Sequence, residues 1–137
     1  MIGIIGEGAA TLVLEEYEHA KNRGAPILAE VLGFGTNTDG NHVTQPSAPT
    51  METALHLAMT DAGLTPQDIG FISGHGTATE FGDIAESVAT NAVFQDKTPY
   101  HSLKSYFGHT LGACGSMEAW LAIEMMRDKV VCTNHQP

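Results

Sequence analysis

Hydrophobic and polar positions alternate near the start of the chain and then change period. From Glu7 to Glu16, Ala10, Leu12 and Leu14 alternate with Thr11, Val13 and Glu15. Both parities are fairly apolar, which predicts a strand covered on both sides. Glu15 to Arg23 predicts a short polar helix closed by Gly24, and Ile27 to Phe34 a second strand ended by Gly33 and Gly35. Residues 35–50, GTNTDGNHVTQPSAPT, are dense in Gly, Asn, Thr and Pro and predict a loop. Its length favours a functional or interface loop over a simple connection.

From Thr50, the expected N-cap of the next helix, the period becomes helical: Met51, Leu55, Ala58, Met59 and Ala62 recur on one face, and Gly63 supplies the stop. Thr65-Pro66-Gln67-Asp68 predicts a helical turn, and Ile69 to Ser73 a short strand. Asp83 is the expected cap of a helix carrying Ile84, Val88 and Ala92 on one face. A strand is predicted around Tyr100 to Leu103. The last helix, Gly112 to Asp128, is apolar nearly all round (Met117, Trp120, Leu121, Ile123, Met125, Met126), the pattern of a helix buried in a large protein. The order helix, strand, helix, strand, helix predicts an α/β fold with a largely parallel sheet and helices on both faces.

Charge narrows the partners. Acidic residues outnumber basic ones 16 to 6 in a chain of 137 residues. That balance argues against nucleic acid and against an anionic membrane surface, because both need a basic face. Cys114 and Cys132 lack CxxC spacing and predict reduced thiols in a cytoplasmic protein. No apolar run approaches a membrane span, and the opening MIGIIGEGAA lacks the basic region of a signal peptide. Both ends lack the polar tail usual at termini, so the chain is expected to be a piece of a larger protein.

Ligands of parallel α/β folds bind beyond the carboxyl ends of the strands, where two histidines are expected. His75 follows Phe71-Ile72-Ser73, and His109 follows the strand ending near Lys104. If those strands are neighbours, the imidazoles converge. Flanking glycines Gly74, Gly76, Gly108 and Gly112 permit tight turns and close approach of a substrate to the backbone. Two neutral imidazoles each donating one N–H to a single oxygen stabilise an oxyanion or enolate. Lys104, expected close to His109, disfavours a second positive charge there. Glu118 is the best counter-charge for a buried Lys104. Spacing alone leaves a structural role for both histidines open. His19, His42, His56, His101 and His135 read as surface or loop residues. Metal binding is not expected, as neither HxxxH nor HExxH occurs. Cys114, with no adjacent base in sequence, reads as small, buried and inert.

GHGTATEFGDIAES (residues 74–87) resembles the block HGT-x-T-x-x-x-D-x-x-E of β-ketoacyl-[acyl-carrier-protein] synthases. KSYFGHTLGACGSMEA (residues 104–119) resembles their K-x-x-x-GH-x-x-GA-x-G-x-x-E block, and residues 6–46 resemble the stretch preceding both. The resemblance implies a partial thiolase-like fold. Residues 1–49 would end its N-terminal half, and residues 50–137 would form most of its C-terminal half. It implies decarboxylative Claisen condensation of an acyl thioester with malonyl-carrier protein in fatty acid biosynthesis. His75 and His109 would bind the malonyl thioester carbonyl, with Lys104 and Glu118 as the family's lysine and glutamate near that pair. Thr77 and Thr79 would bond the phosphopantetheine arm, and Asp83 and Glu86 would be mainly structural. No cofactor beyond that carrier-borne arm is implied. The implied partners are acyl carrier protein, the missing N-terminal half with its nucleophilic cysteine, and a second copy in a homodimer. The chain alone is expected to be inactive. A polyketide-type ketosynthase and a non-catalytic scaffold that binds carrier protein remain the alternatives.

Overall fold

In the computed structural model, residues 4–42 and 44–132 are described; residues 1–3, Val43 of the predicted loop and the last five residues, His135 among them, lie outside them. The elements are α1 (Tyr17–Asn22), α2 (Ala48–Ala62), β1 (Ile72–Ser73), α3 (Glu80–Phe94), β2 (Tyr100–His101), α4 (Lys104–Phe107) and α5 (Cys114–Asp128), with single 3-10 turns at Pro66–Asp68, Gln95–Lys97 and Leu111–Ala113. Strands β1 and β2 pair in parallel, Ile72 opposite Tyr100 and Ser73 opposite His101. The predicted α/β order from residue 50 onward is therefore present, with shorter strands.

Helices α2 and α3 pack together, and the buried core lies between them and β1. Met59, Val93 and Phe94 form its centre, with Leu55, Ile69 and Ile72 against it. Phe34 donates its backbone N–H to Asp61 at 3.0 Å. The chain passes so close to α2 here that a Cβ on Gly33 or Gly35 would fall within 2.5 Å of the helix backbone. These two glycines are thus contact points as well as the end of a predicted strand.

Several boundaries differ from the sequence expectation. Helix α2 begins before Thr50: Ser47 is its N-cap and Pro49 lies in the first turn, where a missing N–H costs nothing. Gly63 ends it in the left-handed conformation, as predicted. The turn at Pro66–Asp68 carries the capping box of Thr65 and Asp68. Thr79, not Asp83, is the N-cap of α3, and Asp83 sits in its first turn. The face carrying Ile84, Val88 and Ala92 points outward, while Ala85, Ala89 and Val93 are buried. Of that buried stripe, Val93 joins Met59 of α2 in the core. Helix α5 starts at Cys114, preceded by the 3-10 turn, and Trp120 and Met126 are about half exposed.

The two N-terminal strands are not ladders among the described residues. What pairs is earlier: Ile5 bridges His109 in parallel, with His109 N–H to the Ile4 carbonyl at 2.7 Å and Gly6 N–H to the His109 carbonyl at 3.0 Å. Residues 7–16 and 27–34 carry neither helix nor strand, and Val13, Leu14, Leu28, Val31 and Phe34 are exposed. Period-two apolarity marks what can be a buried strand, but a ladder also needs a neighbouring edge. The whole chain exposes 9657 Å², against about 6,900 Å² for a globular protein of this size. None of the described helices is long and apolar enough to cross a membrane.

His101 is the clearest reversal. It is 1% exposed, packed on Phe71 with ring centroids 5.8 Å apart, and neither ring nitrogen has a partner among the described residues. Burial, partly offset by the Glu118 charge, holds its pKa below the ordinary histidine value. The unfolded chain gains a proton as pH falls through about 6.5 while the folded one does not. Stability attached to His101 is therefore full above that pH and is lost below it. His101→Leu is expected to match or exceed wild-type stability at pH 7.5, by up to about 1 kcal/mol, and to flatten the loss between pH 7 and pH 5. Urea unfolding midpoints at both pH values measure this, and an unchanged acid loss in the variant would contradict the account.

Candidate active site

The two parallel strands deliver two turns to one place. Gly74 N–H bonds the His101 carbonyl at 2.7 Å, and β1 then turns into His75. Strand β2 passes through Ser102 and Leu103 into α4, which carries Lys104. Gly108, at φ 75°, closes that short helix, and the bridge to Ile5 fixes the backbone of His109. The imidazoles of His75 and His109 meet edge to face, with centroids 5.0 Å apart and planes at 89°.

The His75 turn is gripped on both sides. The Glu86 carboxylate, one turn and a half into α3, accepts the His75 N–H at 2.5 Å and the Gly76 N–H at 2.8 Å. The Ser102 hydroxyl reaches the His75 carbonyl at 3.4 Å and the Gly76 carbonyl at 3.2 Å. Sequence reading took Glu86 as mainly structural; the structure places it directly on the backbone of a candidate catalytic residue. Thr77 and Thr79 hold hydroxyl to hydroxyl at 2.8 Å beside this turn, separated by Ala78 at φ 58°.

Lys104 lies elsewhere than expected. Its Nζ stands 3.3 Å from Nδ1 of His75, so within the histidine pair its hydrogen-bond partner is His75, where the sequence reading set it against His109. The same Nζ bonds Oε1 of Glu118 at 2.7 Å, with the two side chains 5% and 14% exposed. Burial opposes the ammonium charge, but the hydrogen bonds to Glu118 and Cys114 and the Glu118 charge outweigh it and hold the lysine pKa above its ordinary value. For His75 burial and the Lys104 charge, with a smaller push from His109, lower the pKa, against opposing pulls from Glu86 and Glu118.

Hydrogen bonding also fixes the tautomers. An ammonium has no acceptor, so Nδ1 of His75 accepts and the ring proton sits on Nε2. Nδ1 of His109 accepts the Leu111 N–H at 3.2 Å, so its neutral ring likewise carries the proton on Nε2. The strained Leu111, at φ 51°, is what turns that N–H back onto the ring.

Cys114, one helical turn before Glu118, donates its thiol to Glu118 at 3.1 Å. Burial raises its pKa, opposed by the Lys104 hydrogen bond and reinforced by Glu118, so the thiol stays protonated and is a poor nucleophile. The donor atoms of His75, Cys114 and Glu118 lie within 4.8 Å of one another, a nitrogen, sulfur and oxygen set of the kind zinc accepts. Here the Lys104 ammonium already bonds Nδ1 of His75 and Oε1 of Glu118, and a divalent ion in that position would meet a fixed positive charge. The i, i+4 spacing of Cys114 and Glu118 was the sequence signal for this contact.

The ion pair has a measurable consequence. Glu118→Leu leaves a buried unpaired ammonium and is expected to destabilise the chain by about 3–5 kcal/mol. Adding Lys104→Met removes that charge and should recover most of the loss. A double-mutant cycle on urea midpoints checks this, and additive losses would rule out the pair as described.

Comparison with known proteins identifies the family and the fold. Residues 28–136 match the family model "Beta-ketoacyl synthase, C-terminal domain". The chain is 44% identical over 134 residues to 3-oxoacyl-[acyl-carrier-protein] synthase 2 of Vibrio cholerae serotype O1, covering 93% of this chain and 32% of that protein. It superposes on a crystal structure of a β-ketoacyl synthase from Burkholderia phymatum with TM-score 0.81 and 58% identity, over 83% of this chain and 28% of the other. It also superposes on a type II polyketide ketosynthase solved with its acyl-carrier protein, with TM-score 0.75 and 36% identity, over 81% of this chain and 28% of that one. The chain thus spans about a third of the length of the relatives it matches. Its helices and parallel strands are part of a thiolase-like α/β fold, and the chain belongs to the β-ketoacyl synthase family, within the C-terminal domain of that family.

Proposed function

We propose that this chain supplies the malonyl-activating part of a 3-oxoacyl-[acyl-carrier-protein] synthase. The observation that carries the proposal is the tautomer geometry. Both Nδ1 atoms are occupied by donors, which leaves two Nε2–H groups on rings 5.0 Å apart as donors to one oxygen. Malonyl thioester is bound with its carbonyl oxygen between them. The bond from the α-carbon to the carboxylate breaks, carbon dioxide leaves, and the electron pair passes into the enolate whose oxygen the imidazoles stabilise. The α-carbon then attacks the carbonyl carbon of an acyl-cysteine thioester, and the cysteine thiolate departs. Neither Cys114 nor Cys132 suits that last role, so the acyl-cysteine is supplied by polypeptide beyond this chain. Thr77 and Thr79 hold the phosphopantetheine arm, and the acyl-carrier protein bound to the related polyketide ketosynthase supports a carrier protein as partner.

Lys104 has two effects here. It keeps His75 from taking a proton, and it is itself held charged by Glu118. Protonation of His75 would place a proton on the Nδ1 that Lys104 bonds and set a second cation against the ammonium, so decarboxylation is expected to fall as pH drops through the lowered His75 pKa.

In the full-length synthase, His75→Ala and His109→Ala are each expected to slow malonyl decarboxylation by about 10²–10³ and to spare transfer of the acyl group to cysteine. Carbon dioxide release and acyl-enzyme formation, assayed separately, distinguish the two steps. Decarboxylation at the wild-type rate in either variant would refute the donor role. The related polyketide ketosynthase favours a second reading, a polyketide-type enzyme with the same residues. The products decide between them: a single elongation of a saturated acyl primer for fatty acid synthesis, repeated condensation without reduction for polyketide synthesis.

A further inference from the structure

Lys104 and His75 meet through their side chains, and one hydroxyl also joins their backbones. Ser102, the residue after β2, is 7% exposed. Its Oγ accepts the Lys104 N–H at 3.4 Å. The same atom lies 3.2 Å from the Gly76 carbonyl and 3.4 Å from the His75 carbonyl. A serine hydroxyl carries one proton and two lone pairs, so it accepts from Lys104 while donating to the nearer carbonyl, that of Gly76. The fit is close. Gly76 adopts φ 43°, and a Cβ on it would stand 2.6 Å from both the Cβ and the Oγ of Ser102. The His75 turn therefore rests directly on this side chain.

We propose that Ser102 is a positioning residue, tying the backbone of Lys104 to that of the His75 turn so that Nζ of Lys104 stays on Nδ1 of His75. The 3.3 Å contact between those atoms depends on both backbones. Lysine has a flexible four-carbon stem, and this one springs from α4, a helix of four residues. Glu118 fixes the Nζ end. Glu86 grips the amides of the His75 turn from α3, and Ser102 grips its carbonyls from the far side. Of the two grips, that of Ser102 also includes the Lys104 backbone. What it secures is the tautomer: with Nδ1 accepting from the ammonium, the ring proton stays on Nε2. The use of that Nε2–H as a donor to a thioester oxygen rests on the function proposed above; the positioning does not.

Ser102→Ala deletes the hydroxyl and keeps the Cβ against Gly76. In this 137-residue chain, nitrogen-15 NMR of the imidazoles, recorded at a pH where both rings are neutral, reads which nitrogen carries each proton. The wild-type His75 is expected to show Nε2–H alone, and the Ser102→Ala ring a mixture in which protonated Nδ1 appears. His109, whose Nδ1 is held by the Leu111 amide, should not change. Exchange of the Lys104 amide should quicken about threefold, the low end for one hydrogen bond, as suits a contact of 3.4 Å. In a Lys104→Met, Glu118→Leu background the serine has no ammonium to place, so adding Ser102→Ala should leave His75 as that background has it. A mixed tautomer in the wild-type chain would overturn the proposal. So would an unchanged His75 ring in Ser102→Ala, even with stability lowered, or an effect of equal size in the background without Lys104. These readouts need no turnover. In the full-length synthase Ser102→Ala should lower kcat for malonyl decarboxylation about threefold with KM near its wild-type value. If the tautomer shifts while decarboxylation does not change, the functional reading falls and the positioning role stands.

Discussion

A lysine ammonium that is 5% exposed needs a partner, and the site is arranged around meeting that need. An unpaired buried charge costs more than most small domains have in reserve. Glu118 answers it from α5, and the bond ties that helix to α4. The remaining donor capacity of Nζ falls on Nδ1 of His75, which settles where that ring keeps its proton. One ion pair thereby links two helices and the end of a strand, and it gives a candidate catalytic imidazole its orientation.

The second histidine is set by different means to the same result. Nδ1 of His109 is met by a backbone amide, where Nδ1 of His75 is met by a lysine. The backbone of His109 is held by the parallel bridge to Ile5, and its Nδ1 is occupied by an amide that a strained residue turns inward. Backbone in the left-handed region is costly for a side chain such as leucine, and such positions gather where a site needs them. Ala78 beyond His75 and Leu111 beyond His109 are both of this kind. The sheet that unites the two turns is only two residues per strand, so the polar clamps of Glu86 and Ser102 fix what so short a ladder leaves free.

The apolar surface of the first 34 residues belongs to the same picture. Ile4 to Gly6 reach the site through the His109 bridge, while the segments after them present Val13, Leu14, Leu28 and Val31 to solvent. Their alternation predicted strands, the first of them covered on both sides, whereas these residues are exposed and unpaired among the described residues. Within the described residues no strand edge lies alongside to complete them, and without hydrogen-bond partners an apolar run stays a run.

Local chemistry made much of this readable from the sequence. Helical spacing, the stop at Gly63 and the helical turn opened by Thr65-Pro66-Gln67-Asp68 depend on neighbours within a few residues, and so they were legible in the sequence. The two histidine blocks were legible because each turn carries its glycines and its histidine in one short segment, and the Lys104–Glu118 pairing followed from the cost of a lone buried charge. Tertiary contact decided the rest. It turned Lys104 toward His75 instead of His109, buried His101, chose the Ala85 and Ala89 stripe of α3 over the Ile84 face, and put Ser102 against Gly76. Each of those outcomes joins residues from different elements. A linear pattern records which side chains favour burial or charge, but the partner each one meets is set by how strands and helices pack in space.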